Sequence, residues 1–278
     1  MISARDILSL RTGVFAHRGN SASFPENTLP AFRSAFDLDC PMVETDLHMT
    51  ADDELVLWHD ERTGRNTNRD LVIAETTLAD LRSLDAGFSH RGHKGDYPFR
   101  GMGLYIMTLN ELLEEFPDRV FNIDLKSPNP RIAVRYAEVL AAHRAWERII
   151  TGSFHGPVLR RFRRLAPACL SSMSPAEVRT AVVLNRPGLN IARPLALGLI
   201  KGRVFQVPEV HGNLQVVNRR LISSWAKSGI PVQVWTVNDP QEAKRLLRMG
   251  VRGIFTDTPE TMLQALKGFD PDGDGLSF

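Results

Sequence analysis

Four short segments end apolar runs in side chains that can do chemistry: Ala16-His17-Arg18-Gly19, Pro25-Glu26-Asn27-Thr28, Glu44-Thr45-Asp46 and His59-Asp60. A rigid strand that ends in a polar side chain is how α/β enzymes present reactive groups. Residue alternation sorts these side chains further, because neighbours along a strand point to opposite faces. Over residues 43–48 the split is Val43, Thr45 and Leu47 against Glu44, Asp46 and His48. Over 121–126 it is Phe121, Ile123 and Leu125 against Asn122, Asp124 and Lys126. Over 232–236 it is Val232, Val234 and Thr236 against Gln233 and Trp235. If the apolar sets pack under helices, then Glu44, Asp46 and Asp124 converge.

Converging carboxylates repel unless a cation or a proton intervenes. Their oxygens are hard ligands and no cysteine stands among them, so one Mg²⁺ or Ca²⁺ is the expected guest rather than zinc or copper. The competing reading pairs these acids with Lys126 and Arg18. His17 and His59, at two strand ends near the acids, suit a general acid and a general base. Arg18 can grip phosphoryl oxygens with its planar fork, and Lys126 can add a point charge. This combination points to cleavage of a phosphate ester, one histidine deprotonating the nucleophile and the other protonating the leaving alkoxide. The other histidines carry less weight. His48 shares the inward parity and could brace Glu44 or Asp46. His143 and His155 sit beside helix ends, His211 could line the mouth, and His90 and His93 fall in a segment expected to be exposed. The segment 25–28 reads as largely structural, with Thr28 as an N-cap before Leu29.

The elements that must position these groups are short β-like runs at 13–17, 42–47, 55–59, 120–126, 148–154, 168–171, 204–207, 231–237 and 253–257, alternating with helical patterns. Thr108 and Glu111 form a capping box. Asn129-Pro130, Ser174-Pro175, Asp239-Pro240 and Thr258-Pro259 are N-cap and first-turn pairs. Gly229, Gly250 and Gly268 follow helical runs. Repeated strand–helix units imply a parallel sheet, and about eight of them in this length fit a closed (β/α)₈ barrel, with a doubly wound open sheet as the alternative. Residues 61–106 break the rhythm with six glycines. They read as an insertion after an early strand, within a single domain spanning 1–278, rather than as a second folding domain.

Bulk composition excludes several classes. A charge of +2 is too small and too dispersed for nucleic-acid binding. Arg160, Arg161, Arg163 and Arg164 interleave with Leu159, Phe162 and Leu165 as the solvated face of a helix would. Cys40 and Cys169 have neither disulfide nor zinc spacing. No run reaches membrane-spanning length, and residues 1–12 lack the apolar core of a signal peptide, so a cytoplasmic protein is expected. The segment 270–275 resembles the start of a calcium loop, but the chain reaches Phe278 without the distal glutamate, so 269–278 reads as a flexible acidic tail.

These segments together resemble the glycerophosphodiester phosphodiesterase family. The likeness runs in order through 16–19, 25–28, 44–50, 58–60, 122–126, 234–238 and 253–257, covering nearly the whole chain. It implies a (β/α)₈ TIM barrel with a small insertion, and hydrolysis of a small-molecule glycerophosphodiester to an alcohol and glycerol 3-phosphate. It implies His17 and His59 as the acid–base pair, Glu44, Asp46 and Asp124 as metal ligands, and Arg18 and Lys126 as phosphate binders. Trp235 is implied as a wall of the glycerol pocket. The chain departs from the family pattern at Asp124, where glutamate is frequent, at Asn110 in place of a glutamate, and at Asp52-Asp53 in place of an Asp-Gly turn. Two other readings compete: a lysophospholipase D-like or sphingomyelinase D-like enzyme, and a non-catalytic barrel that binds phosphodiesters. The first would need a wide apolar mouth or a membrane-facing patch, and the second would lack a histidine or an acid of the set. Oligomeric state leaves no trace in the sequence.

Overall fold

The computed structural model of the chain describes residues 2–92, 94–185, 198, 200–212 and 214–273. His93 and residues 274–278 of the expected tail lie outside them. The described strands are β1 (Gly13–His17), β2 (Met42–Met49), β3 (Leu55–Leu57), β4 (Phe121–Leu125), β5 (Ile149–Gly152), β6 (Leu170–Ser171), β7 (Phe205–Val207), β8 (Val210–His211), β9 (Leu214–Gln215), β10 (Val232–Val234) and β11 (Gly253–Thr256). The described helices are α1 (Ala4–Ser9), α2 (Leu29–Asp37), α3 (Leu78–Arg82), α4 (Leu109–Glu115), α5 (Arg131–Ala142), α6 (Gly156–Leu165), α7 (Pro175–Leu184), α8 (Arg219–Ala226), α9 (Pro240–Arg248) and α10 (Pro259–Leu266).

One sheet runs in the order β6-β5-β4-β2-β1-β11-β10-β7, with every neighbouring pair parallel. Its two ends meet through a parallel bridge between Ser172 and Val204. There Met173 N donates to Val204 O at 3.0 Å and Arg203 N donates to Ser171 O at 2.8 Å. The eight strands therefore close into a (β/α)₈ barrel.

Alternation explains the layers. Val43, Leu47, Phe121, Ile123 and Leu125 point outward and pack with Phe32, Phe36, Tyr136 and Phe162 of the helices. Val232 and Val234 do the same with Leu221, Trp225 and Leu246. Inside, the end nearer the strand N-termini is filled by Phe15, Met42, Val120, Ile150 and Phe255, and plugged from below by Ala4 and Ile7 of α1. Each such buried side chain contributes roughly 1.5–3 kcal/mol. The Phe15 and Phe255 rings lie 5.2 Å apart. Gly253 makes room for them, since a Cβ there would lie 2.2 Å from the Phe15 ring. The barrel is thus apolar at one end and polar at the other.

The structure corrects several local readings. Only Leu55–Leu57 of the run at 55–59 is strand, and it pairs antiparallel with β2 rather than joining the barrel, so His59 lies in the loop beyond it. Residues after β3 gather a small core of their own around Trp58, Ile73, Leu81, Leu84 and Ile106. Thr108 and Ser174 form full capping boxes, and Asp239 caps α9. Asn129 accepts from Arg131 N at 3.0 Å, but Thr28 and Thr258 make no side-chain cap. Thr28 instead donates to Pro25 O at 2.5 Å. The tail begins with a turn in which Asp272 pairs with Arg11.

Candidate active site

The polar end of the barrel gathers the predicted residues. Parallel register sets His17 beside Glu44 and Asp46 beside Asp124. Two non-glycine residues there adopt left-handed backbone, Arg18 with φ 57° and Asn27 with φ 57°. Such conformations cost roughly 1–3 kcal/mol each and persist where the surroundings fix them. The surroundings do so: Arg18 N donates to Glu44 O at 3.0 Å and Asn27 N donates to Arg18 O at 3.1 Å. The Asn27 side chain accepts from Thr45 Oγ1 at 2.7 Å and donates to Asp46 Oδ2 at 3.1 Å. The segment 25–28 is therefore the clamp that fixes Asp46.

The acids and cations interleave. Lys126 Nζ lies 3.0 Å from Asp46 Oδ1 and 2.8 Å from Asp124 Oδ2. Arg18 Nε lies 3.1 Å from Asp46 Oδ2, out of line for a hydrogen bond, and its Nη1 lies 3.2 Å from Glu26 Oε1. Arg65 bridges Glu26, at 2.6 Å, to Asp60, at 2.5 Å. Burial disfavours the charged form of Asp46, yet Lys126 and Arg18 outweigh it and hold the carboxyl below its ordinary range. Among the described residues no lysine or arginine side chain forms an ion pair with Glu44. Burial and the Asp46 charge push its carboxyl up to about 7.

Each candidate catalytic histidine is tied through Nδ1 to a carboxylate. His17 Nδ1 lies 2.7 Å from Asp257 Oδ1, and His59 Nδ1 lies 2.6 Å from Asp60 Oδ1. That leaves Nε2 of each free of the carboxylate, and His17 Nε2 faces Glu44 Oε2 at 3.9 Å. Burial opposes protonation of His17, but Asp257 and Glu44 raise its pKa. Asp257 is held in turn by Asn238 Nδ2 at 2.8 Å and Ser21 Oγ at 3.2 Å, and these contacts with His17 lower its carboxyl despite burial.

Three carboxylates and no thiolate form a donor set that fits a hard divalent cation. Six carboxylates (Glu26, Glu44, Asp46, Asp60, Asp124, Asp257) face three fixed cations (Arg18, Arg65, Lys126), so the site is anionic when both imidazoles are neutral. In this arrangement Lys126 sits between Asp46 and Asp124, and among the described residues no three acids or histidines close on one point. The pairing reading and the metal reading thus describe the same acids with different partners.

Other predicted roles move. His48 braces neither acid; its Nε2 meets His59 O at 3.0 Å and so supports the loop that carries His59. His143 and His155 occupy the C-cap of α5 and the N-cap of α6, but their side chains turn elsewhere: His155 Nε2 meets Lys126 O at 2.9 Å, and His143 Nε2 meets Asn110 Oδ1 at 2.9 Å. His211 is exposed in the β8–β9 hairpin. Trp235 stands at the end of β10 against Phe154, centroids 6.0 Å apart and nearly perpendicular. Phe154, 60% exposed and 5.7 Å from Lys126 Nζ, was not singled out by the sequence, nor were Asp257, Asn238 and Arg65, and Glu26 stood only in a segment read as largely structural. The parity of Gly253, Phe255 and Asp257 was the available signal for Asp257.

Residues 17–261 match the Glycerophosphoryl diester phosphodiesterase family. A glycerophosphodiester phosphodiesterase of Caldanaerobacter subterraneus subsp. tengcongensis is 30% identical over 263 residues, covering 93% of this chain and 99% of that protein. Lysophospholipase D GDPD1 of Homo sapiens is 25% identical, over 91% of this chain and 86% of its own length. Among solved structures, an Oleispira antarctica phosphodiesterase in complex with the product sn-glycerol-3-phosphate superposes with a TM-score of 0.73 at 24% identity, covering 92% of this chain and 96% of that one. With the match spanning most of the barrel, this chain belongs to the glycerophosphoryl diester phosphodiesterase family.

Proposed function

We propose that the chain hydrolyses small glycerophosphodiesters to an alcohol and glycerol 3-phosphate, using His17 and His59 as the acid–base pair and one divalent cation, Mg²⁺ or Ca²⁺, held by Glu44, Asp46 and Asp124. The observation that carries this reading is the paired carboxylate at each imidazole Nδ1, which fixes the ring and leaves Nε2 for proton transfer. The cation, when bound, supplies Lewis-acid polarisation of the phosphoryl oxygens. One Nε2 takes the proton of the nucleophile. The other gives a proton to the alkoxide as the P–O bond to the alcohol breaks. Arg18 uses Nε and Nη1 toward Asp46 and Glu26, which leaves Nη2 for a phosphoryl oxygen. Lys126 has one donor beyond those facing Asp46 and Asp124.

Trp235 and Phe154 form an aromatic wall beside Lys126 that suits the carbon face of glycerol. The alcohol then points toward the loops, where residues 61–106 reach the site through Arg65. We read this insertion as part of a single barrel domain that tunes head-group choice. Cys40 and Cys169 are buried free thiols that burial pushes up to about 12, which accords with a cytoplasmic setting. Among the described residues no helix is long and apolar enough to cross a membrane.

The lysophospholipase D reading draws support from the human relative, at lower identity than the bacterial one. A ³¹P product assay across glycerophosphocholine, glycerophosphoethanolamine and lysophosphatidylcholine separates the two. Glycerol 3-phosphate from the deacylated diesters is expected, with His17→Ala and His59→Ala each slower by about 10²–10⁴-fold. Faster turnover of the lysophospholipid would favour the lipid-directed reading, and a near-normal rate in either histidine variant would remove the acid–base assignment.

A further inference from the structure

A large cleft lies away from the carboxylates. A cavity of about 1020 Å³ opens at the other end of the barrel, where the chain enters β6, β7 and β10 beside α1 and the C-terminal half of α6. Six cationic residues line it: Arg5 from α1, Arg160, Arg163 and Arg164 from α6, and Lys201 and Arg203 from the segment leading into β7. The α6 arginines read from sequence as one solvated helix face. The fold instead brings cations from three separate parts of the chain onto one concavity.

Among the described residues no carboxylate lines this cleft. The acid that meets its rim, Glu177, is fully engaged. It accepts from Arg163 Nη1 at 3.0 Å and Nη2 at 2.9 Å, from Lys201 N at 2.6 Å and from Ser174 N at 2.7 Å. Arg163 also donates to Ser171 Oγ at 2.8 Å and Ser172 O at 2.7 Å, so it works as a bracket. Gly202 presses the bracketed segment onto the barrel rim, since a Cβ there would lie 2.5 Å from Met173 Cα. Lys201 and Arg203 on either side are thereby carried over the cleft. Lys201 Nζ donates to Gly198 O at 3.0 Å. Among the described residues, Arg5, Arg160, Arg164 and Arg203 form no ion pair.

Like charges gathered around a concave, partly apolar surface repel one another with less screening than in open water. Leu8, Pro167 and Leu170 supply that apolar part. An anion with several oxygens relieves the repulsion, and guanidinium forks match phosphate oxygens two at a time. We propose that this cleft, lined by Arg5, Arg160, Arg163, Arg164, Lys201 and Arg203, is a second anion site that takes a ligand presenting several phosphate groups. A free polyphosphate and clustered anionic lipid head groups offer the same chemistry, and the concave shape favours the free anion.

Calorimetric titration of the full chain with inorganic tripolyphosphate at physiological salt tests this. The cleft variant is Arg160→Gln/Arg164→Gln/Arg203→Gln. The control, Arg69→Gln/Lys94→Gln/Lys267→Gln, removes equal charge elsewhere. All six positions are exposed, so both variants should melt like the wild type. Binding by the wild type, about tenfold weaker in the cleft variant and unchanged in the control, is expected. Flotation with phosphatidylcholine vesicles, with and without phosphatidylglycerol, separates the sources. Capture that needs phosphatidylglycerol and is lost in the cleft variant assigns the site to lipid; its absence beside tripolyphosphate binding assigns it to the free anion. If the wild type binds neither probe, or if both variants weaken binding equally, the proposal is overturned.

Discussion

Asp257→Asn removes one negative charge from the site and almost no volume. The carboxylate now accepts on Oδ1 from His17 and Ser21, and on Oδ2 from Asn238 Nδ2. An asparagine amide cannot reproduce both sides. If its NH₂ faces Asn238, two donors meet; if it faces His17, it donates to Nδ1 and forces the imidazole proton onto Nε2. Either outcome takes away a charge-assisted hydrogen bond of roughly 1.5–3 kcal/mol. Lost from the transition state, that lowers kcat by about 10- to 150-fold with little change in KM. The pH dependence has a definite sign. Asp257 helps to raise His17, so the limb of the pH–rate profile that follows His17 moves to lower pH in the variant. Stability follows the same linkage. The raised His17 contributes fully below the ordinary imidazole value and loses this as pH rises through its raised one. The lowered Asp257 contributes above the ordinary carboxylate value and loses this as pH falls through its lowered one. The pair is therefore strongest between those limits, and the variant melts earlier there. Steady-state kinetics from about pH 5 to pH 9, with melting curves in the same buffers, read all three effects. A variant with wild-type kcat and an unmoved limb would refute the reasoning.

Gly19→Ala places a Cβ 2.7 Å from Ala31 backbone at a φ of +83°; it should destabilise the fold by roughly 2 kcal/mol, or about 4–8 °C in Tm by calorimetry, and an unchanged Tm would mean the loop rearranges freely. Arg65→Gln breaks the bridge between Glu26 and Asp60 on a half-exposed side chain, so stability should change by less than about 1 kcal/mol while kcat drops more than KM rises; the reverse split would place Arg65 in substrate binding. Glu44, pushed up to about 7 by burial and Asp46, destabilises the fold once ionised, so the Tm of metal-free protein should fall as pH rises from about 5 to about 8. Glu44→Gln should flatten that slope and abolish hydrolysis, and an equal slope in both proteins would count against the buried, uncompensated carboxylate.

The barrel was legible because its strands alternate. Phe121-Asn122-Ile123-Asp124 can put its apolar residues under helices only by turning Asn122 and Asp124 inward, and the same logic placed Glu44 and Asp46. Direction was not legible in Leu55-Val56-Leu57, since an apolar triplet carries the same signal in a parallel or an antiparallel strand. The orienting partner of His17 escaped for another reason. Asp257 is 240 residues from His17 and meets it only because the sheet closes β11 onto β1. Glu26 and Arg65 connect two loops whose approach no periodicity encodes. His48 had the right parity but lies beyond the acids along β2, where it reaches the His59 carbonyl instead. The convergence of α6 with the segment before β7 is likewise a product of closure.

The most direct test of the central claim is glycerol 3-phosphate formation from glycerophosphocholine, followed by ³¹P spectroscopy on protein dialysed against chelator and then supplied with Mg²⁺ or Ca²⁺. Six carboxylates against three fixed cations predict no turnover in chelator and its recovery with one of the two ions, while Asp46→Asn stays inactive under every condition. Full turnover in excess chelator would contradict the account.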